Sequence, residues 1–298
     1  MKLVKLIHNP GAGDSAHSKQ ELIKLIEANG FKCSYSSTEK DDWKNFDEKP
    51  DFLVVAGGDG TVRKITKKLL EQKLLNKILP IALLPLGTAN NISKTLGIEG
   101  NTEDIIQSWH KGKLKKYDVG RLDHIDEAHF FLESFGYGIF PYMMKEIKKQ
   151  NKDEIDQPEK SIRAALKLLH EITLSYEPRW CQLETDGKSH SGKFLLAEIL
   201  NIQSIGPNLV LAPDASTDDG KLDVALLPEE DKKNFAAYLL NKINGIEEAY
   251  PFSTIKAQQI KISWNGTHVH TDDKVLKIKS NATITIELKE ALLEFLVP

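Results

Sequence analysis

Hydrophobic and polar positions follow two different periods along the chain, and each period predicts one kind of secondary structure. Up to about residue 118, short apolar runs are each followed by a segment with helical spacing. The predicted strands are Leu3–His8, Phe31–Ser36, Asp51–Ala56 and Ile78–Leu84, and the predicted helices are Ser15–Asn29, Val62–Leu75, Asn90–Leu96 and Thr102–His110. Because strands that alternate with helices are typical of a parallel sheet covered by helices, we predict a three-layer α/β domain over residues 1–118.

From residue 119 onward the pattern changes to a period of two residues, which is typical of strands with one buried face. We therefore predict a β-rich, sandwich-like domain over residues 119–284. Its predicted strands are Lys116–Leu122, Arg179–Thr185, Gly192–Leu200, Lys221–Leu227, Ala257–Ser263 and Asn281–Leu288, and its helices are Tyr142–Ile147 and Ser161–Leu174.

Composition excludes several classes of protein. The 298 residues carry 40 Lys and Arg against 43 Asp and Glu, so the net charge of -3 argues against a nucleic-acid partner. Two cysteines, Cys33 and Cys181, are too few for a disulfide framework and favour reduced thiols inside the cell. The apolar runs are too short for a signal peptide or a membrane span. We expect a cytoplasmic protein with at most peripheral membrane contact, and the oligomeric state stays open.

The segment Gly57–Thr61 reads Gly-Gly-Asp-Gly-Thr and lies between a predicted strand and a predicted helix. Glycines let a backbone approach a ligand closely, and amides at a helix N-terminus favour an anion such as phosphate. Asp59 could orient a magnesium ion that is bound to phosphate. The alternative is a tight strand–helix turn capped by Thr61.

Two further polar loops follow strands of the same predicted sheet. Asn9–Gly13 follows the first strand, and Pro85–Asn91 follows the fourth. The carboxyl ends of parallel strands lie at one edge of a sheet, which is where ligands bind in such folds. The three loops together therefore predict a nucleotide site, whereas each alone could be simple helix capping.

These motifs give the chain a resemblance to the diacylglycerol-kinase-like lipid kinases, the superfamily that also contains sphingosine and ceramide kinases. Asn9-Pro10-x-x-Gly13, Gly57–Thr61 and Pro85–Asn90 are similar to the family's N-P-x-x-G, G-G-D-G-T and P-x-G-T-x-N motifs. Leu211–Ala215 and Asp219–Asp223 are similar to its L-x-P-x-A and D-G-x-L-D segments.

The resemblance implies an ATP-dependent kinase of lipid metabolism, active in phospholipid biosynthesis, that phosphorylates the hydroxyl group of a diacylglycerol-like or other long-chain lipid. It also implies that the β-rich domain receives the lipid, and that a tail from about 285 to 298 returns to the first domain. The implied ATP contacts are Asn9, Thr38, Gly57, Gly58, Asp59, Gly60, Thr61, Val62, Arg63 and Thr88. The implied structural Mg2+ site near the D-G turn consists of Asp219 and the main-chain oxygens of Ser216 and Lys221. A plain hairpin turn is the alternative for that segment.

The family's catalytic base lies in a late D-G-E turn, which here reads Asp272-Asp273-Lys274. Asp272 matches the family's aspartate, and a shift of one residue would make Asp273 the base instead. Lys274 replaces the family's glutamate, Asn91 replaces an acidic residue, and Arg63-Lys64 replaces an asparagine–glutamate pair. These departures leave open an altered substrate, altered metal handling or a catalytically silent homologue that binds nucleotide or lipid. A soluble kinase similar to NAD kinases is a further alternative.

Two other patterns have less specific interpretations. Gly187–Lys193 fits G-x-x-x-x-G-K, but its context predicts a hairpin and not a phosphate loop. His268 and His270 alternate with Asp272 along one strand face, and a zinc site is the alternative to solvent-facing or cleft-lining histidines.

Overall fold

The structure is a computed structural model that describes residues 1–13, 17–44, 49–71, 79–126, 128–149, 158–246 and 248–298. The chain divides into two compact units. The N-terminal unit comprises residues 1–117 together with 291–298, and the second unit comprises residues 118–290. The sequence predicts limits of 1–118 and 119–284, with a tail from about 285 to 298 that returns to the first domain.

The N-terminal unit is an α/β fold with a parallel sheet, as the sequence predicts. Its elements are β1 (Leu3–His8), α1 (Lys19–Ala28), β2 (Lys32–Ser37), a short 3-10 helix (Asp41–Lys44), β3 (Phe52–Gly57), α2 (Asp59–Glu71), β4 (Ile81–Pro85), α3 (Asn91–Thr95) and α4 (Thr102–Ser108). The strands pair in the order β4-β3-β1-β2, and each of these pairs is parallel. In the C-terminal segment, Phe295 pairs in parallel with Ile81, and its ring lies 5.0 Å from that of Tyr117.

Three helices of this unit begin at different residues from those predicted, and for α3 the difference is one residue, Asn91 and not Asn90. Helix α1 begins at Lys19 because Ser18 and Glu21 form a reciprocal cap: Ser18 Oγ accepts the Glu21 N–H (3.3 Å), and the Glu21 carboxylate accepts the Ser18 N–H (2.8 Å). Helix α2 begins at Asp59 and not at Val62, so Asp59, Gly60 and Thr61 lie in its first turn. The predicted helix start at Ser15, the predicted helix end at Leu75 and the predicted strand start at Ile78 lie outside the described residues.

The second unit is rich in antiparallel strands, as predicted for a sandwich-like domain. Its elements are β5 (Lys113–Asp123, which begins in the N-terminal unit), β6 (Phe130–Phe131), β7 (Ser134–Gly138), α5 (Ile139–Lys149), α6 (Pro158–Ser175), β8 (Arg179–Thr185), β9 (Lys188–Leu200), β10 (Ser204–Ile205), β11 (Leu209–Val210), β12 (Leu222–Pro228), α7 (Lys232–Ile243), β13 (Thr254–Ala257), β14 (Gln259–Trp264), β15 (His268–Thr271), β16 (Lys274–Lys277) and β17 (Thr283–Val297, which ends in the N-terminal unit). Alternate residues of β9 pack into two different hydrophobic cores. Ala197 and Ile199 pack among the strands, whereas Leu196 and Leu200 pack against α5, α6 and α7.

Several elements of this unit were not predicted, among them the strands β6, β7, β10, β11 and β16. Helix α7 was not predicted, although Phe235, Leu239 and Ile243 recur every four residues and are buried. The single predicted strand Ala257–Ser263 is in fact the two strands β13 and β14. The break arises because the Asp186 carboxylate accepts the N–H groups of residues 258 and 259 (3.1 and 2.9 Å). Among the residues that the structure describes, no helix has the length and apolar character needed to cross a lipid bilayer.

Candidate functional site

Three polar loops meet at one edge of the sheet in the N-terminal unit. We call them loop 1 (Asn9–Gly13, after β1), loop 2 (Gly57–Thr61, from the end of β3 into α2) and loop 3 (Pro85–Asn91, from the end of β4 into α3). Strand β3 lies between β1 and β4, and all three run in the same direction. Their carboxyl ends therefore bring the loops side by side.

Loop 1 is fastened to loop 2 by Asn9. Its Nδ2 group donates to Thr61 Oγ1 (3.0 Å), and its main-chain N–H donates to the carbonyl oxygen of Ala56 (2.9 Å). The Thr61 side chain is buried, so this hydrogen bond is shielded from water. Thr61 is the third residue of α2 and therefore not its N-cap, and its hydroxyl oxygen joins two loops.

Loop 2 is fastened to loop 3 by the carboxylate of Asp59. Its Oδ2 accepts the main-chain N–H of Asn91 (2.9 Å), and its Oδ1 accepts that of Ile92 (3.1 Å). These are first-turn amides of helix α3, which have no acceptor within the helix. Asp59 thus caps α3 from another part of the chain, a role that the sequence analysis did not foresee.

Glycines lie where the loops approach one another most closely. Gly13 has a φ of +62°, and a Cβ there would overlap the carbonyl oxygen of Leu86. A Cβ on Gly58 would lie 3.0 Å from the Cα of Gly87, and one on Gly87 would overlap Gly58. These residues are glycine because the three loops are packed backbone against backbone.

The first turn of α2 presents amides to the same edge. The Gly58 carbonyl oxygen accepts the N–H groups of Thr61 (2.8 Å) and Val62 (3.2 Å), which closes the turn. The N–H groups of Asp59 and Gly60 precede these two, where helix geometry provides no acceptor. Such a helix start attracts anions, because unpaired amides and the helix dipole both favour negative charge.

The remaining residues implied by the resemblance occupy different surroundings. The Thr38 N–H donates to the His8 carbonyl oxygen (2.8 Å), and its own carbonyl oxygen accepts Lys64 Nζ (3.0 Å). Thr88 is exposed in loop 3, and Arg63 is half-buried in α2. The Val62 side chain is only 3% exposed, so we expect it to pack in the core of this unit.

In the second unit, Asp272 lies in the turn between β15 and β16 with a φ of +50°. Its Oδ1 accepts the main-chain N–H groups of Leu132 (3.2 Å), Glu133 (2.8 Å) and Ser134 (3.3 Å). Asp273 and Lys274 are exposed beside it. Asp272 therefore anchors the turn, and Asp273 is the more accessible of the two candidate bases.

A buried acid–histidine pair lies next to this turn and was not predicted. His270 Nε2 lies 2.7 Å from Glu198 Oε1, and His270 Nδ1–H donates to the carbonyl oxygen of Asp272 (2.9 Å). Burial lowers the pKa of His270, but the charge and hydrogen bond of Glu198 outweigh it, and the net pKa is raised. A Cβ on Gly136, the residue between them in the sheet, would overlap the Glu198 carboxylate. His270 is only 3% exposed, so its interpretation as solvent-facing or cleft-lining is wrong.

The D-G turn of the second unit contains the metal ligands implied by the resemblance. Asp219 Oδ1 accepts the Lys221 N–H (3.0 Å), and Ser216 Oγ donates to Asp218 (2.7 Å). Asp219 Oδ2 lies 2.7 Å from the ammonium of Lys256, which the sequence analysis did not single out. Within the described part of the chain, no three side chains of His, Cys, Asp or Glu form a group that could hold a metal ion.

The sequence matches two family models in chain order. Residues 3–122 match the diacylglycerol kinase catalytic domain, and residues 146–289 match the YegS C-terminal NAD kinase beta sandwich-like domain. The diacylglycerol kinase of Bacillus subtilis (strain 168) is 24% identical over 276 residues, which is 88% of this chain and 86% of that protein. A Staphylococcus aureus (strain MSSA476) protein, provisionally named a lipid kinase, is 27% identical over 227 residues. The match covers 74% of this chain and 70% of the Staphylococcus aureus protein.

A solved structure shares the fold. The crystal structure of a diacylglycerol kinase from Bacillus anthracis str. Sterne superposes with a TM-score of 0.72 at 22% identity, covering 100% of this chain and 97% of that one. The predicted fold, an α/β domain followed by a β-rich sandwich-like domain, is thereby confirmed.

Proposed function

Because the chain belongs to the diacylglycerol-kinase-like family of lipid kinases, we propose that it transfers the γ-phosphoryl group of ATP to a lipid hydroxyl group. One observation supports the nucleotide part of this proposal above others: loops 1, 2 and 3 are joined by side-chain hydrogen bonds and glycine contacts at one sheet edge. A turn that only connected a strand to a helix would need none of these links between loops.

Loops 2 and 3 would bind the triphosphate through main-chain amides. The N–H groups of Asp59 and Gly60 at the start of α2 are suited to phosphate oxygens. Magnesium that arrives with ATP would neutralise charge on the β- and γ-phosphates. Asp59 fits that ion through a bridging water, since each carboxylate oxygen that accepts one amide keeps a second lone pair.

The second unit would receive the lipid, and the candidate base lies there. The lipid hydroxyl would lose its proton to the carboxylate of Asp273 as its oxygen forms the new bond to phosphorus and the bond to ADP breaks. Asp273 suits this role better than Asp272, whose Oδ1 already accepts three main-chain amides. The names of the relatives favour a diacylglycerol-like acceptor, which the protein would meet at a membrane surface.

A catalytically silent homologue is the second candidate. Both aspartates that the family motifs assign to chemistry, Asp59 and Asp272, are engaged by main-chain amides. Asn91 and Lys274 moreover stand where the family has acidic residues. Such a protein would bind nucleotide tightly without transferring phosphate.

The test is transfer of radioactive phosphate from γ-labelled ATP to lipids in mixed micelles that contain diacylglycerol, monoacylglycerol, ceramide or a sphingoid base. We expect labelled lipid in at least one micelle and none in detergent alone. ATP binding by calorimetry with no labelled lipid would identify the silent homologue, and transfer to NAD alone would favour the soluble kinase. Failure to bind ATP would refute both the kinase and the nucleotide-binding homologue.

A further inference from the structure

Lys256 reaches into the turn at which the resemblance implies a metal. Its Nζ lies 2.7 Å from Asp219 Oδ2, 3.1 Å from the main-chain oxygen of Asp214 and 3.5 Å from Asp223 Oδ2. An ammonium group has three N–H donors and no acceptor, so three surrounding oxygens match its bonding capacity. Two carboxylates and one carbonyl oxygen form the kind of hard-oxygen surroundings that a cation prefers.

The strand pairing directs Lys256 into this position. Strands β12 and β13 are antiparallel, and Lys256 lies directly opposite Asp223 in their register. Side chains of directly opposite residues share a sheet face and lie within reach of each other. Only 1% of the Asp223 side chain is exposed, so a cation nearby stabilises the charged form of its carboxylate, whichever cation that is.

The rest of the turn is held by the chain itself. The Asp118 carboxylate accepts the Gly220 N–H (3.0 Å), Gln258 Nε2 donates to the Gly220 carbonyl oxygen (3.0 Å), and Asp219 Oδ1 accepts the Lys221 N–H (3.0 Å). Both oxygens of the Asp219 carboxylate therefore have protein donors. A magnesium ion on Oδ2 would have to displace the ammonium and would be repelled by it, because both are cations competing for one carboxylate.

We propose that Lys256 takes the place of the divalent cation implied at this turn, so that a charge carried by the chain holds Asp219 and Asp223 and no metal is required there. The expected metal site of Ser216, Asp219 and Lys221 does not fit this arrangement. The proposal is independent of the proposed kinase activity, since it concerns the turn and not the magnesium that accompanies ATP. A tethered ammonium would hold the turn at any concentration of free metal.

The experiment is thermal unfolding of the full chain without nucleotide, in magnesium chloride and in EDTA, together with calorimetric titration of the protein with magnesium. We expect the same melting temperature in both solutions and no saturable binding of magnesium. Saturable binding that Asp219→Asn abolishes would overturn the proposal.

Two lysine variants complete the test without any measurement of activity. Lys256→Met keeps the aliphatic stem but leaves the buried Asp223 carboxylate without its cation, and we expect its melting temperature to fall by about 4 °C or more. Lys261→Met is the matched control, because Lys261 forms an exposed ion pair with Glu184 (3.1 Å). Equal melting temperatures for the two variants would also overturn the proposal.

Discussion

The carboxylate of Asp59 caps the helix that begins at Asn91, by accepting the N–H groups of Asn91 (2.9 Å) and Ile92 (3.1 Å). In the family pattern both positions are acidic, so two carboxylates would stand together there. Here Asn91 is neutral, and Asp59 has only main-chain donors to satisfy in these two contacts. The replacement therefore removes a charge repulsion and favours a structural role for Asp59.

Replacement of Asp59 by alanine should consequently affect stability as well as nucleotide binding. Two amides of α3 would lose their acceptor, and we expect the free energy of unfolding to fall by about 2 kcal/mol. Asp59→Asn keeps one acceptor oxygen and should lose less. Urea denaturation measures the stability, and calorimetry measures ATP affinity, which should fall in both variants. Wild-type stability in Asp59→Ala would show that the cap contributes nothing.

Close packing of loops 1 and 3 gives a second prediction. Gly13→Ala places a methyl group on the carbonyl oxygen of Leu86, and it also forces an L-residue to adopt a φ of +62°. Gly97→Ala is a matched control, because Gly97 has a φ of +70° but no heavy atom within 4 Å of the added Cβ. We expect Gly97→Ala to cost about 1–2 kcal/mol from backbone strain alone.

Gly13→Ala should cost more than this control and should weaken ATP binding, whereas the control should bind ATP normally. Denaturation midpoints and calorimetric affinities of the two variants provide the comparison. Equal stability and equal affinity would mean that loops 1 and 3 do not need their close contact.

The loops themselves could be predicted from sequence because each is a local signal: an apolar strand, then glycine and polar residues, then a helix. The links between the loops could not be predicted. Asp59 and Asn91 are 32 residues apart, and no periodicity in the sequence indicates which amides a carboxylate will accept. The family resemblance indicated that Asp59 matters, but it suggested metal organisation and not helix capping.

The second unit illustrates the same limit. The predicted strand Ala257–Ser263 begins one residue after Lys256. The pairing of Lys256 with Asp223 across the sheet therefore could not be predicted. His270 and Glu198 lie on different strands on either side of Gly136, and only the pairing order β15-β7-β9 brings them together. The alternation of apolar and polar residues predicts which face of a strand a side chain occupies. The pairing of the strands determines which residues that side chain contacts.

The buried Glu198–His270 pair predicts a pH dependence of stability. The folded-state pKa of His270 is raised above its ordinary value, so the pair stabilises the fold fully at pH values below the unfolded-state pKa of about 6.5. This stabilisation is lost as the pH rises through the folded-state pKa. The difference in unfolding free energy between wild type and His270→Gln should therefore shrink as the pH increases above 6.5.

Urea denaturation between pH 5.5 and 9 measures this difference, with His129→Gln as the control because His129 is exposed. At low pH we expect His270→Gln to lose about 3–5 kcal/mol, since it leaves a buried carboxylate without its partner. A difference from wild type that stays constant with pH would contradict a titrating His270.

Variants of the turn between β15 and β16 distinguish a residue that stabilises the fold from a residue that acts as the base. Asp272→Asn weakens the acceptor of three amides, and we expect it to lower the unfolding free energy by about 2–3 kcal/mol. Asp273→Asn changes an exposed side chain, so its stability should stay within about 0.5 kcal/mol of wild type. If Asp273 is the base, Asp273→Asn should nevertheless reduce kcat by about 100-fold or more with little change in ATP affinity.

Lys274→Glu restores the family's residue at the neighbouring position and serves as the comparison. An acidic side chain there could accept the proton in place of Asp273, so the double variant Asp273→Asn, Lys274→Glu should recover part of the lost turnover. Wild-type kcat in Asp273→Asn would exclude Asp273 as the base. A stable Asp272→Asn protein with no turnover would assign that role to Asp272 instead, despite the three amides that its carboxylate accepts.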